Sequence, residues 1–448
     1  MDDLAYCLNG KIQQRDAPDY EAWRRHACWN QRDVARRPQY IVRARSHDDV
    51  VAAINMARER KLSIALRSGG HSFANAFLRR DGVLLDLSAL HALDVEPGRR
   101  RAVVGPGVTS RALSEALAAH RLGFPTGHSG TVGLGGFLLG GGLGINFGMW
   151  GPMSAFQIKA LDLVTADGKL RHASAEENPD LFWAARGGGP TLFFAVVSFE
   201  LECHPLPGAM TSQHLRLSLE GLPYALSAIT KAAPQPALQI MLAVVPAADS
   251  SRPQKPRWEI AVSTLAFAEN GNEATALHAK LANVLKPWAL DDASEEQSIS
   301  FAALHDHGDA AFGSGRYLTD NILTDRPEDA ARILISHLPT LPSSATLPLL
   351  IWQGNRPLPE AAFSAKGGWY FSTYARWTDP RDDEANMRWL RLLYDELQPI
   401  ASHCYINEFD LEYRSAEIAR CFSSDAWLRL AALKRRYDPS GVFHDLPL

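Results

Sequence analysis

Arg67-Ser68-Gly69-Gly70-His71-Ser72 follows the apolar segment Leu62 to Leu66, and its reading decides the first half of the chain. Glycine tolerates positive φ and carries no Cβ, so such a loop can lay successive backbone N–H groups against a phosphate. His71 is then a residue delivered to a cofactor. Two further glycine stretches lie downstream: Gly130-Thr131-Val132-Gly133-Leu134-Gly135-Gly136 running on to Gly140-Gly141-Gly142-Leu143-Gly144, and Arg186-Gly187-Gly188-Gly189. A diphosphate needs several convergent donors, and loops from separate parts of one domain can supply them without a single dedicated helix end.

Around these loops the chain alternates short strands and helices. Tyr40-Ile41-Val42 reads as a strand, and Ser46 with Asp48-Asp49 opens a helix to about Arg60. Strands follow at Leu62 to Leu66, Val83 to Leu87 and Ala102 to Val104, with a helix from Ser110 to Ala119, then strands at Leu161 to Thr165 and Ala195 to Leu201. The glycine-rich character stops near Cys203-His204-Pro205-Leu206-Pro207, which marks a boundary. Beyond it, strand-like runs (Leu238 to Val245, Trp258 to Ala266) alternate with helical ones (Ala274 to Leu285, Pro327 to His337), as in an antiparallel sheet backed by helices. Ser423 to Arg436 reads as a helix returning to the first domain and bringing Tyr437-Asp438-Pro439 to the cofactor region.

Composition narrows the class. With 448 residues, 46% of them hydrophobic, and a net charge of −4, the chain can bury a large core and has no general attraction to nucleic acid or an anionic membrane. Cys7, Cys28, Cys203, Cys404 and Cys421 are odd in number and scattered, which reads as reduced thiols. Met1-Asp2-Asp3-Leu4 shows no secretory pattern, so a cytoplasmic protein is expected. Ser129 to Ile158 lacks charge and is long enough to span a bilayer, but its ten glycines argue for a loop system instead.

In order and spacing these stretches resemble the vanillyl-alcohol oxidase family of flavin oxidases, most closely its berberine-bridge-enzyme-like branch. The resemblance is carried by Arg67 to His71, by Thr131-Val132-Gly133 with Gly140 to Gly144, and by Asp180-Leu181-Phe182-Trp183 before Arg186-Gly187-Gly188-Gly189. Tyr437-Asp438-Pro439 completes it. It implies an α+β protein: a PCMH-type FAD-binding domain of residues 1–205 completed by 425–448, and a substrate-binding domain of residues 206–424. It also implies FAD joined covalently from His71 to the 8α-methyl of the isoalloxazine, chemistry that suits a neutral imidazole. Arg67, Ser68, Gly69, Gly70, Ser72, Ser129, Thr131, Val132, Gly133, Gly135, Gly136, Gly140, Gly141, Gly142, Gly144, Val196, Tyr405 and Asn407 are its expected cofactor contacts. Many relatives make a second link from a cysteine, but Ser129 stands at that position here. A hydroxyl is far less nucleophilic than a thiolate, so a single link is expected.

Hydride-transfer chemistry calls for a base near the reacting carbon. In Trp369 to Trp377, period-two geometry puts Tyr370, Ser372 and Tyr374 on one strand face. Tyr405-Ile406-Asn407-Glu408-Phe409-Asp410 resembles the family's Tyr-x-Asn-Tyr-x-Asp, with Glu408 replacing the second tyrosine. A partly buried carboxylate there can act as general base or bind a cationic amine, and Tyr370 or Tyr374 is the alternative base. Gln353 and His128 are candidate substrate contacts, while His305-Asp306-His307 reads as a polar loop, with no metal expected.

These readings describe an oxidase taking hydride from a CH–OH or CH–NH group of a small, aromatic or heterocyclic metabolite, with O2 returning H2O2. Its partners are that substrate and O2, with no membrane or nucleic acid, and its oligomeric state is left open. A dehydrogenase with another acceptor would share every cofactor motif, and a non-catalytic flavin-binding protein is the more distant alternative. A dinucleotide Gly-x-Gly-x-x-Gly read from Gly133 fails at Leu138, and a hydrolase Gly-x-Ser-x-Gly read from Gly127 fails at Thr131.

Overall fold

A computed structural model describes Leu8 and residues 10–247 and 257–446. Cys7 and the N-terminal tetrapeptide lie outside the described residues. The first sheet contains β1 (Ile12–Gln14), β2 (Tyr40–Arg43), β3 (Ile64–Arg67) and β4 (Val83–Asp86) in the order β1-β2-β4-β3. β4 pairs in parallel with both β2 and β3, and β1 closes the edge antiparallel. Parallel strands need a crossover, and the helix His47–Glu59 carries the chain from β2 to β3, the two strands that flank β4. It opens as expected at Ser46, whose Oγ accepts from the Asp49 N–H while Asp49 accepts from the Ser46 N–H.

The second sheet is antiparallel throughout. It holds β5 (Leu93–Glu96), β6 (Arg101–Val104), β7 (Ile158–Thr165), β8 (Leu170–Ser174) and β9 (Phe194–Glu202) in the order β5-β6-β9-β7-β8. The charge-free stretch from Ser129 is broken into a helix at Leu134–Leu139, a glycine loop and a single turn at Phe147–Trp150. Among the described residues no helix is long and apolar enough to cross a membrane.

Seven antiparallel strands form the third sheet: β10 (Ala209–Ser218), β11 (Leu238–Pro246), β12 (Trp258–Ala268), β13 (Gln297–Ser298), β14 (Arg316–Thr324), β15 (Leu347–Trp352) and β16 (Trp369–Trp377). Their order is β13-β10-β12-β11-β15-β16-β14. Helix Gly271–Leu285 packs on β10 and β12 and helix Asp383–Leu397 on β14 and β16, with Leu222–Ala232 and Pro327–His337 packed between them. The helices cover one face, so the other is free to line a cavity. The fold is thus α+β with an antiparallel sheet backed by helices.

Helix Ser424–Tyr437 carries the chain back to the first sheet, where Phe443 bridges Ile64 in parallel. The Ile64 N–H donates to Val442 O at 2.6 Å, and the His444 N–H to Ile64 O at 2.9 Å. One expectation is corrected here. Tyr437 does not reach the cofactor region: its hydroxyl donates to Asp180 Oδ2 at 2.8 Å and its ring stacks on Phe193. Asp438 instead accepts the N–H groups of Val442 and Phe443, turning Phe443 and His444 toward the cavity.

Candidate active site

A cavity of about 530 Å³ runs from the end of β3 to the open face of the third sheet. Its first wall is the loop Arg67 to Phe73. Among the described residues the N–H groups of Gly69, Gly70, His71 and Ser72 have no protein acceptor. Four successive unpaired donors are costly if nothing accepts from them, and they form an anion cradle. The Gly130–Gly136 loop crosses this one at contact distance. A Cβ on Gly69 would lie 2.5 Å from Gly133 N, and one on Gly133 would lie 2.6 Å from Gly69 Cα. The Gly136 N–H donates to Ser68 Oγ at 3.2 Å, tying the loops together. This donor set and close backbone approach fit the diphosphate of FAD.

Of the expected cofactor contacts, Arg67, Ser68, Gly69, Gly70, His71, Ser72, Ser129, Val132, Gly133, Gly135, Gly136, Val196, Tyr405 and Asn407 line the cavity. Thr131, Gly140, Gly141, Gly142 and Gly144 are not among the residues lining it. Thr131 Oγ1 shares a 3.0 Å hydrogen bond with Ser129 Oγ. Gly140 makes room for Asn407, whose Oδ1 would lie 1.9 Å from an added Cβ, and a Cβ on Gly144 would lie 2.1 Å from Pro125 O. Gly141 and Gly142 have φ of +116° and +77°, and the Gly142 N–H donates to Tyr405 Oη at 3.0 Å. Gly140, Gly141 and Gly142 thus seat the Tyr405–Asn407 segment at the cavity wall.

His71 is half-buried. Burial first, and the Arg67 charge second, push its pKa down to about 4, so the imidazole is neutral at pH 7. Ser129 Oγ donates to Asp309 Oδ1 at 2.6 Å, and Asp309 pairs with Arg111 at 3.0 Å. His305 and His307 lie on the helix Phe301–Ala311, which corrects the reading of a polar loop. His305 bonds to His128 O at 3.2 Å and Ser114 Oγ at 3.0 Å, while His307 faces the cavity. Among the described residues no cluster of three or more His, Cys, Asp or Glu could hold a metal.

The third sheet supplies the opposite wall. Leu347, Leu349 and Ile351 of β15 and Tyr370 and Tyr374 of β16 point into the cavity at period two. Gln353 does not join them. Strand pairing ends at Trp352, the Gln353 N–H donates to Gly368 O at 2.9 Å, and Gly354 turns the chain at φ +68°. His128 does line the cavity. The Asn146 N–H donates to Gln239 Oε1 at 2.9 Å, so the Gln239 amide nitrogen must face His128 Nε2 at 3.0 Å as donor. Burial pushes the His128 pKa down to about 4, with His305 adding to the effect.

Glu408 sits in a single turn of 3₁₀ helix, Ile406–Glu408, rather than on a strand. Three hydroxyls converge on its Oε2: Ser372 at 2.7 Å, Tyr374 at 2.6 Å, and Tyr370. Its Oε1 has no protein partner among the described residues, and the side chain lines the cavity. Burial raises the Glu408 pKa, and the three O–H donors only partly offset this. Tyr370 and Tyr374 are raised well above their ordinary value by burial and then by the Glu408 charge, so both stay protonated as donors.

Strand β14 holds that turn in place. Thr319 Oγ1 donates to Glu408 O at 3.1 Å, and the Asn321 amide clamps Tyr405 by donating to its carbonyl at 2.8 Å and accepting its N–H at 2.6 Å. Behind them Asp320 and Arg414, each side chain 2% exposed, pair at 2.6 Å. Sequence reasoning missed this supporting set, together with Asp309, Gln239 and Trp29. Only the polar residues inside an otherwise strand-like Tyr317 to Thr324 could have signalled the clamp.

The FAD binding domain family matches residues 38–174. The FAD-linked oxidoreductase janO of Penicillium janthinellum is 32% identical over 392 residues, spanning 83% of this chain and 82% of that protein. The (R)-6-hydroxynicotine oxidase of Paenarthrobacter nicotinovorans is 36% identical over 183 residues, or 41% of this chain and 39% of that protein. A variant of berberine bridge enzyme solved with (S)-reticuline shares the fold at a TM-score of 0.83 and 21% identity, covering 99% of this chain and 98% of that one. The chain therefore belongs to the FAD-linked oxidoreductases, and it shares the fold of berberine bridge enzyme. It is an oxidoreductase that binds FAD.

Proposed function

We propose that this oxidoreductase is an oxidase carrying FAD on His71 alone, which takes hydride from a CH–OH or CH–NH carbon of a small aromatic or heterocyclic metabolite. O2 is the final acceptor and H2O2 the product. Residues 1–205 with 425–448 form the FAD-binding domain, and residues 206–424 the substrate-binding domain. FAD, when bound, supplies the acceptor for the electron pair. The observation that carries the reading is Glu408, anchored by three hydroxyls through Oε2 and open to the cavity through Oε1.

Glu408 Oε1 takes the hydroxyl or ammonium proton of the substrate as the carbon gives up its hydride. Tyr370, Ser372 and Tyr374 spread the charge on the carboxylate and fix its direction. Leu347, Leu349 and Ile351 form an apolar wall suited to a flat ring, and His128 offers a neutral ring edge. Ser129, committed to Asp309, leaves no thiolate for a second link. The unpaired thiols Cys28, Cys203, Cys404 and Cys421 suit a reducing compartment, the cytoplasm.

The test has two parts. Acid-denatured wild-type protein should retain its yellow chromophore, and complete release would remove the tether. A screen of alcohols, sugars and cyclic amines should find one that bleaches the flavin under argon and yields peroxide in air. Bleaching without rapid reoxidation in air would make the protein a dehydrogenase, and no bleaching by any substrate would remove the catalytic reading.

A further inference from the structure

Trp29 is a large aromatic residue at the cavity wall that the proposed chemistry leaves without a role. One face of its indole lies against the His71 imidazole, with ring centroids 4.8 Å apart and planes 20° from parallel. The indole also stacks on Tyr317 of β14, at 4.8 Å and inclined by 28°. Phe73 closes one side edge-on at 5.7 Å. The three stacked rings form a column from the third sheet to the glycine loop.

The backbone around the column is fixed as firmly as the rings. The Trp29 N–H donates to Gly70 O at 3.1 Å, so the indole and the loop carrying His71 move together. The neighbouring Asn30 is buried and uses its whole amide. Its Nδ2 donates to Phe73 O at 2.6 Å and Tyr317 O at 2.9 Å, and its Oδ1 accepts from the Tyr317 N–H at 3.0 Å. Gly70 is required at this junction, because its φ is +74° and a Cβ there would lie 2.3 Å from Ala27 O.

A histidine on a glycine loop can ordinarily swing among staggered χ1 wells. An aromatic plate against one ring face, backed by a second ring, closes the wells that turn the imidazole that way. We propose that Trp29 is the positioning residue for the covalent tether, holding the His71 ring in the orientation from which the bond to the flavin 8α-carbon forms. This rests on the reading that His71 carries FAD. In the net step the imidazole loses its N–H proton, the 8α-methyl loses one hydrogen and the N–C bond forms. The two electrons and two protons released convert O2 to H2O2. A ring face covered by the indole also agrees with the neutral imidazole that the step needs.

The test compares acid-stable with total flavin in purified wild type, Trp29→Leu, Trp29→Phe and Tyr317→Leu. Wild type should be fully covalent. Trp29→Leu fills the space without an aromatic plate and should slow tether formation roughly tenfold or more, leaving most of its bound flavin acid-releasable. Trp29→Phe should restore the covalent fraction although it too is smaller than the indole. Tyr317→Leu withdraws the backing ring without touching His71 and should lower the fraction to a smaller degree, which keeps the test decisive if Trp29→Leu folds poorly. Equal covalent fractions in all four proteins overturn the role of Trp29 and leave the tether standing. Fully acid-releasable flavin in wild type overturns both.

Discussion

Replacing Glu408 with glutamine removes the proton-accepting charge while keeping the shape of the site. The amide oxygen still accepts from two of the three hydroxyls that now reach Oε2. One charge-assisted bond is lost, a stability cost of about 1.5–3 kcal/mol, small enough for the flavin to stay bound. The chemical cost is larger. A positioned general base contributes about 10²–10⁴ in rate, or roughly 3–5.5 kcal/mol of barrier at 1.36 kcal/mol per tenfold. No neighbour can substitute, because Tyr370 and Tyr374 hold their protons more tightly than usual and His128, with a pKa near 4, is a weak base. Burial raises Glu408 above its ordinary 4.5, so its ionised form is lost as pH falls through that raised value. Wild-type flavin reduction should therefore weaken on the acid side, and Glu408→Gln should be slow at every pH. Anaerobic stopped-flow bleaching reads both effects. Reduction of the glutamine variant at the wild-type rate, with the acid limb intact, would refute Glu408 as the base.

Three further outcomes follow from the same geometry. His71→Ala should still bind FAD in the cradle but release all of it in acid, measured as flavin in the supernatant after precipitation. Gly69→Ala forces a Cβ to 2.5 Å from Gly133 N, so the protein should purify nearly colourless even with excess FAD; normal flavin content would show the loop crossing to be tolerant. Arg414→Leu strands the buried Asp320 carboxylate and should cost about 3–5 kcal/mol in denaturant unfolding, since breaking a buried pair leaves an uncompensated charge. A cost below ~1 kcal/mol would mean that Asp320 is relieved in another way.

Where local chemistry dominates, the sequence was legible. The Ser46 capping box, the helix Pro327–His337 and the strand Trp369–Trp377 form at or near the expected positions because caps, proline and alternation act within a few residues. Strand β14 escaped notice because Asp320, Asn321 and Arg316 break its apolar pattern, and those residues are polar because they clamp the Tyr405–Glu408 turn and bind Asp383. The run Gly140 to Gly144 was legible as glycine-dependent but not as packing. What Gly140 and Gly141 make room for is Asn407 and Phe363, both far away in sequence. Gln353 has the right parity for the cavity, but strand termination is a tertiary fact that parity does not carry. The meeting of Glu408 with Tyr370, Ser372 and Tyr374 joins two segments in three dimensions, and each segment alone showed only half of it.

The pairing of Ile64 with Val442, Phe443 and His444 has a temporal consequence. A ribosome makes the anion-binding loop early and these residues last among the cavity's walls, with the entire seven-stranded sheet emerging in between. Until that later segment threads back beside β3, the nascent chain has no complete pocket to receive a dinucleotide. Loading must follow synthesis of that segment, and the early strands must wait beside an open edge while the residues between are translated.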